Sequence, residues 1–489
     1  MKQPNVLIVT CDQLRRDAIG MYNNRVIKTP NIDSLANESV VFDNHFTQHP
    51  VCMPSRWSIF TGRYPRHHGV TDNGVKFKED EETLARQFKK NGYHTGAFGK
   101  MHFSPALLNK EEEDEQWPKD GFGFVIRHLT DDSKRGEYLN YLKNIDEESY
   151  EYVLKQGEEK VKEDLMSAAD RTFSDAPQIK ENKLDPDLHQ TAWISNKVID
   201  FMDEAKSKNK PFFGWCSYVD PHHPFDPPEP YASMYDPAEI APPIPACTDD
   251  PAAPRNVLDM HFGYSPGNEK YDLSTVGKEG WKAVRAKYYG MVSLIDHNLG
   301  RIIEALKERD MYENTVIIFT SDHGELLGDH GLLFKGPFHY DGLIRVPLLI
   351  RYGDKVCGGA RIKQITQHID ILPTLLSFCG IPLPRGVQGK PLQSLLSGDD
   401  VPLYEYALTE HRCYDWGTNI KTLRNSRWRL SYYGNPDIGE LYDLYSDPTE
   451  MCNLWYNEEY ADVKSELVNK LLDRLIETED SKQPRLAKY

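Results

Sequence analysis

What most constrains this chain is a recurring order of segments. Short apolar runs stop at polar or ionisable residues, and amphipathic helical stretches lie between them. The runs are 5–10, ending in Cys11-Asp12-Gln13; 95–99, ending at Lys100; 212–218; 316–320; and 346–350. They are nearly continuous in apolar character, so both faces of each strand are expected to be buried. Helical stretches fall at 82–91, stopped by Gly92, at 187–206 and at 281–309. In the second of these, Thr191, Ile194, Val198 and Met202 share one face. Strand and helix in alternation predict an α/β fold: a large mixed, mainly parallel sheet sandwiched by helices.

Two regions break the pattern. Residues 105–186 are charged and poor in strand signals, and read as a helical insertion over one sheet edge. Residues 227–278 are dense in Pro and Gly and read as a long irregular loop, a type that is usually functional or mobile. Turn residues cluster at Ser397-Gly398-Asp399-Asp400. They divide the chain into an expected catalytic domain, 1–397, and a small C-terminal α+β subdomain, 398–489. The subdomain should hold a short antiparallel sheet, with one strand at 428–433, and an amphipathic helix at 461–478.

Composition narrows the function. With 58 Lys+Arg against 75 Asp+Glu, the net charge is −17, unsuited to sequence-independent nucleic-acid binding. An anionic substrate is still compatible, because a cleft can be locally basic. No apolar run approaches the length of a membrane span, and the run at 6–9 is too short for a signal-peptide core and is followed by no cleavage site. The eight cysteines form no Cys-x-x-Cys pair. The expectation is a cytoplasmic enzyme with reduced thiols and no membrane partner.

Open α/β sheets bind ligands at the carboxyl ends of their strands. Four such ends carry ionisable groups: Asp12 with Gln13; Lys100 with His102; Asp220, His222 and His223; Asp322 with His323. Any one could be a turn, cap or structural residue, but four together define a candidate site. Asp12, Gln13, Asp322 and His323 offer carboxylate, amide and imidazole donors, suited to a hard or intermediate divalent ion.

The sharpest motif is Val51-Cys52-Met53-Pro54-Ser55-Arg56, followed by Thr61-Gly62-Arg63. Cys52 could be a buried residue before a helix or a thiolate nucleophile. A cysteine-phosphatase loop would need Arg six positions on, where Ser58 stands.

Cys-x-Pro-Ser-Arg with a following Thr-Gly-Arg resembles the signature of the type I, formylglycine-dependent sulfatases, of the alkaline-phosphatase-like superfamily. Further matches run along the chain: Gly99-Lys100-Met101-His102, His222-His223-Pro224-Phe225, Ser321-Asp322-His323-Gly324 and Glu440-Leu441-Tyr442-Asp443-Leu444. The resemblance implies that Cys52 is oxidised to formylglycine by a maturation enzyme, and that its hydrated aldehyde attacks sulfur. It implies a metal held by Asp12, Gln13, residue 52, Asp322 and His323, with calcium ahead of manganese or magnesium. Arg56, Lys100 and Lys335 would hold the sulfate. His222, in preference to His223, would protonate the leaving oxygen, and His102 would accept the proton when sulfate is expelled. Arg63 is expected to brace the helix. The expected substrate is a sulfated small molecule or saccharide. Phosphonate monoester or phosphodiester hydrolysis is the alternative, since related enzymes share the nucleophile and the Asp-Gln and Asp-His pairs. A non-catalytic sugar-binding protein is a further rival, disfavoured by the complete set of site residues.

Overall fold

A computed structural model describes residues 3–104, 117–165, 176–248, 252–262, 272–414 and 417–479. Parts of the expected insertion (105–116, 166–175) and of the Pro-rich loop (249–251, 263–271) therefore lie outside the described residues.

Each apolar run forms the expected strand, within a residue or two at either end. The strands are β1 (Asn5–Cys11), β2 (Val40–Phe46), β3 (His94–Gly99), β4 (Ile126–Leu129), β5 (Phe212–Tyr218), β6 (Thr315–Ser321), β7 (Arg345–Arg351) and β8 (Arg361–Gln367). They make one sheet in the order β4-β3-β5-β1-β6-β7-β2-β8. β1, β3, β4, β5 and β6 run parallel. β7 is antiparallel to both its neighbours, β6 and β2. β1, β5 and β6 are buried along their whole length, and separate hydrophobic clusters cover the two sheet faces. One holds Leu7, Val9, Phe319 and the helices Gln190–Ser207 and Lys278–Glu308; the other holds Val6, Ile8, Ile318 and the helix Cys52–Thr61.

The region 105–186 is more than a helical insertion. It contributes the edge strand β4 before its helices, Glu137–Ile145 and Glu147–Leu165. Among the described residues the loop region 227–278 is largely irregular as expected, broken by the short helix Arg255–His261 and by 3-10 turns at Pro237–Glu239 and Leu273–Thr275. A second sheet holds β9 (Ala407–Cys413), β10 (Thr418–Arg424), β11 (Trp428–Asn435) and β12 (Ile438–Asp443), all antiparallel, with the helix Ala461–Glu477 packed on it. Among the described residues no helix is long and apolar enough to cross a membrane.

Two glycines explain how the site motifs turn. Gly62 ends the Cys52 helix at φ +65°, the left-handed region that favours glycine. Gly99 sits at φ +86°, and a Cβ there would come 2.0 Å from the Ser217 carbonyl oxygen. Its absence lets the Lys100 amide donate to that same oxygen at 3.0 Å, which fixes where Lys100 leaves β3.

Arg63 does brace the helix end. Its guanidinium meets Glu81 at 2.9 Å, with both side chains almost wholly buried. Removing one partner of a buried pair leaves the other's charge less well compensated in the interior. Glu81→Ala is therefore expected to cost about 3–5 kcal/mol, read as a fall in the urea unfolding midpoint. A change below about 0.5 kcal/mol would show that the pair contributes little.

Candidate active site

The four strand ends named above converge, joined by the first turn of the Cys52 helix. Asp12 leaves β1 with its amide bonded to the Tyr218 carbonyl oxygen, 3.1 Å. Gln13 takes a left-handed conformation and donates its backbone N–H to Asp322 Oδ1, 3.0 Å. The ends of β1 and β6 are thereby locked together. Cys52 is the first residue of its helix and is 1% exposed. Its Sγ lies 3.2 Å from His323 Nε2 and 3.6 Å from Asp12 Oδ1.

Cations surround this group. Arg56, one helical turn after Cys52, meets Asp322 Oδ2 at 2.8 Å and Asp12 Oδ2 at 3.3 Å. Its Nη1 also donates to the Lys100 carbonyl oxygen. Lys100 Nζ lies 2.6 Å from Asp12 Oδ2. Lys335 Nζ donates to Gln13 Oε1 at 2.7 Å. Burial would raise the Asp12 pKa, but Lys100, His222, Arg56 and Lys335 hold it well below the carboxylate range. Burial and Asp12 push the unmodified Cys52 thiol up, yet Lys335, His323 and a hydrogen bond with His102 bring it to about 5. The pocket stabilises negative charge at position 52.

His222 is buried behind Lys100. Its Nδ1 lies 2.8 Å from the His223 carbonyl oxygen, and its ring stacks on His223 at 4.0 Å. Burial, then Lys335 and Lys100, hold its pKa well below the usual histidine value. His223 packs its ring on Phe334, 4.2 Å between centroids. Of the two histidines it is His222 that joins the site carboxylates. His102 Nδ1 is buried without a hydrogen-bond partner.

The donor set fits a divalent cation. Asp12, Cys52, Asp322 and His323 are all buried and offer ligand atoms within 4.8 Å of one another. His323 Nδ1 is 2.9 Å from the Gly324 carbonyl oxygen, so the proton sits there and Nε2 is left as a lone-pair donor. Gln13 Nε2 donates to Glu325, which turns Oε1 toward the site.

Sequence reasoning missed two residues here. Glu325 also accepts from the backbone N–H groups of Leu326, Leu327 and Phe334, so it ties the loop after β6 to Gln13. Asp132 bridges Lys100 Nζ, 2.8 Å, and His222 Nδ1, 3.3 Å. The signal for it was the rule already in use, a carboxylate just past a strand end, but the strand, β4, went unread.

A cavity of about 420 Å³ opens beside Asp132, lined among others by Lys134, Tyr152, Gln156, Lys180 and Asp226. Its walls come from the insertion helix Glu147–Leu165 and from the segment after His222.

A buried cysteine at a helix start, facing buried carboxylates and ringed by fixed cations at the carboxyl edge of a mainly parallel sheet, suits a site for anionic esters. Residues 4–381 match the sulfatase family model, and residues 328–477 match that of the N-sulphoglucosamine sulphohydrolase C-terminal region. An arylsulfatase of Clostridium perfringens is 31% identical over 97% of this chain and 95% of its own length. The N-acetylglucosamine-6-O-sulfatase of Bacteroides thetaiotaomicron is 25% identical over 96% of this chain and 86% of its own. The crystal structure of the phosphonate monoester hydrolase of Agrobacterium radiobacter superposes with a TM-score of 0.81 at 28% identity, covering 99% of this chain and 98% of that one. The chain belongs to the sulfatase family and is a sulfuric ester hydrolase.

Proposed function

We propose that the enzyme hydrolyses sulfate monoesters of saccharides, with formylglycine made from Cys52 as nucleophile. The observation that carries this is the setting of residue 52: a helix N-terminus against Asp12 and His323, with Arg56, Lys100 and Lys335 around it. A divalent ion of the calcium, manganese or magnesium class, held by Asp12, Gln13, Asp322 and His323, would lower the pKa of a hydroxyl at residue 52 and offset sulfate charge.

The chain's own residues do the rest. Arg56, Lys100 and Lys335 orient the sulfate and stabilise charge as it develops. A hydrated aldehyde has two hydroxyls: one attacks sulfur, and the other later expels sulfate with its proton passing to His102. His222 protonates the departing alcohol oxygen. A sulfate seated on Lys100 and Lys335 would offset the two charges that hold the His222 pKa down, so substrate itself would favour the acid form. The alcohol half fits the 420 Å³ cavity, whose size is in the range of small-molecule sites. Lys134, Gln156, Lys180 and Asp226 in its lining could hydrogen-bond sugar hydroxyls.

A second reading, phosphonate monoester hydrolysis, is favoured by the likeness to the Agrobacterium enzyme. Parallel kcat/KM values for sulfate, phosphonate and phosphodiester esters of one alcohol, on protein with a known mass at residue 52, decide between them. Sulfate should lead; a lead for phosphonate would transfer the assignment.

His222→Ala should slow poor leaving groups by roughly 10²–10⁴-fold and nitrophenyl sulfate far less, because a good leaving group departs without a proton. Lys100→Ala and Lys335→Ala should slow both alike. Leaving-group sensitivity appearing in His223→Ala instead would move the acid role there.

A further inference from the structure

Asp132 has no part in the steps above, yet it is the most deliberately placed carboxylate outside them. It contacts Lys100 Nζ through both oxygens, at 2.8 and 2.9 Å, and His222 Nδ1 at 3.3 Å. The turn that carries it is fixed on several sides. Asp131 accepts the Ser133 N–H at 2.9 Å, and Gln190 Nε2 donates to the Asp131 carbonyl oxygen at 2.8 Å and to Thr130 Oγ1. Lys134 then pairs at 2.9 Å with buried Asp226, just beyond His222. The turn after β4 and the segment after β5 are thus clamped to each other, and the Asp132–His222 contact lies at their junction.

Asp12, Asp132 and His222 also have the spacing of a second cation site. Lys100 Nζ, 2.6 Å from Asp12 and 2.8 Å from Asp132, already supplies positive charge there, so the cluster needs no ion. Neutralising Lys100 is likewise an incomplete account of Asp132, since Asp12 already pairs with that ammonium and a second carboxylate weakens its hold on an anion.

We propose that Asp132 is a positioning residue for His222. The His223 carbonyl oxygen orients the ring; the Asp132 carboxylate adds a charge that stabilises the imidazolium, as a carboxylate does behind a catalytic histidine. With the Nδ1 proton held there, Nε2 is the nitrogen that acts. As the new S–O bond forms to residue 52, the S–O bond to the alcohol breaks. Its electron pair stays on the alcohol oxygen, which takes the Nε2 proton, and the Nδ1 proton remains on the ring. This rests on the reading of His222 as general acid.

The test is kcat/KM for a series of substituted phenyl sulfates, from 4-nitrophenyl to 4-methoxyphenyl, with wild type, His222→Ala, Asp132→Asn and Asp132→Glu. Asp132 is 24% exposed, so the near-isosteric Asn variant should keep the turn. Asp132→Asn should lose about ten- to a hundredfold on the poorest leaving group and less than about threefold on nitrophenyl sulfate, steepening the dependence as His222→Ala does. Asp132→Glu should recover most of the difference. A uniform loss or gain across the series in Asp132→Asn, with His222→Ala steepening it, would overturn the proposal alone. No steepening in His222→Ala would overturn the acid assignment and the proposal with it. Turnover of the matching phenyl phosphonates but not the sulfates would overturn the sulfatase reading, and the same comparison would then be made on the phosphonates.

Discussion

Cys52→Ser is expected to be almost inactive, losing on the order of 10⁴–10⁶-fold, as enzymes do when their nucleophile is replaced. The kind of failure is more telling than its size. Serine has one hydroxyl in the same pocket, beside the same cations. It should attack sulfur but lack the second hydroxyl that expels sulfate. A single-turnover burst with an adduct of about 80 Da on the peptide carrying position 52 is the expected signature of a covalent intermediate that cannot break down. Active wild type should show the Cys52 peptide about 18 Da lighter than the thiol form, one sulfur exchanged for one oxygen at the aldehyde level. Full activity from protein carrying only thiol at residue 52 would sink the formylglycine assignment. Activity and mass have to come from the same preparation, because expression without the maturing enzyme yields thiol.

Asp322→Ala should have an effect of similar size. Asp322 is buried, salt-bridged to Arg56 at 2.8 Å and hydrogen-bonded to the Gln13 backbone at 3.0 Å. Its loss would remove a proposed metal donor and the shortest of the carboxylate contacts of Arg56, which Asp12 and the Lys100 carbonyl would still hold. A bound metal is worth several kcal/mol in the transition state, so the rate should fall by about 10³-fold or more. Metal content by mass spectrometry should drop from one ion per chain toward none. Asp322→Asn is the milder change: it keeps the side-chain shape and one acceptor oxygen, for either Arg56 or the Gln13 and His323 N–H groups, and weakens the metal site. If Asp12→Ala and Asp322→Ala fold and turn over near the wild-type rate, the metal assignment is wrong.

What was legible in the sequence follows from burial. β1, β3, β5 and β6 are covered on both faces and read as apolar runs. The candidate site residues lie within a few positions of the ends of these runs, so fold and candidate site could be read together. The strands that escaped notice lack that signature. β4 is a four-residue edge strand with no fully buried position. β8, at the opposite edge, sets only Ile362 and Ile365 among charged and polar residues. β2 carries Asp43, Asn44 and His45 through irregular pairing with both neighbours. β7 was legible as a strand, but its reversed direction was not, since a buried run looks the same either way. Missing β4 meant missing Asp132. Glu325 was missed for another reason: it ties together backbone and a neighbouring side chain, a role that no residue spacing announces.

The depth of residue 52 also sets an order of events in time. A side chain 1% exposed at the head of a wholly buried helix is out of reach of any macromolecular catalyst once the domain has closed. The groups that enclose it, Asp322, His323 and Lys335, lie some 270 residues or more further along the chain and emerge well after it during synthesis. If Cys52 is converted to formylglycine as proposed, the conversion belongs to the growing or still-open polypeptide. A molecule that closes with its thiol intact would then be committed, for the rest of its life, to the unconverted form.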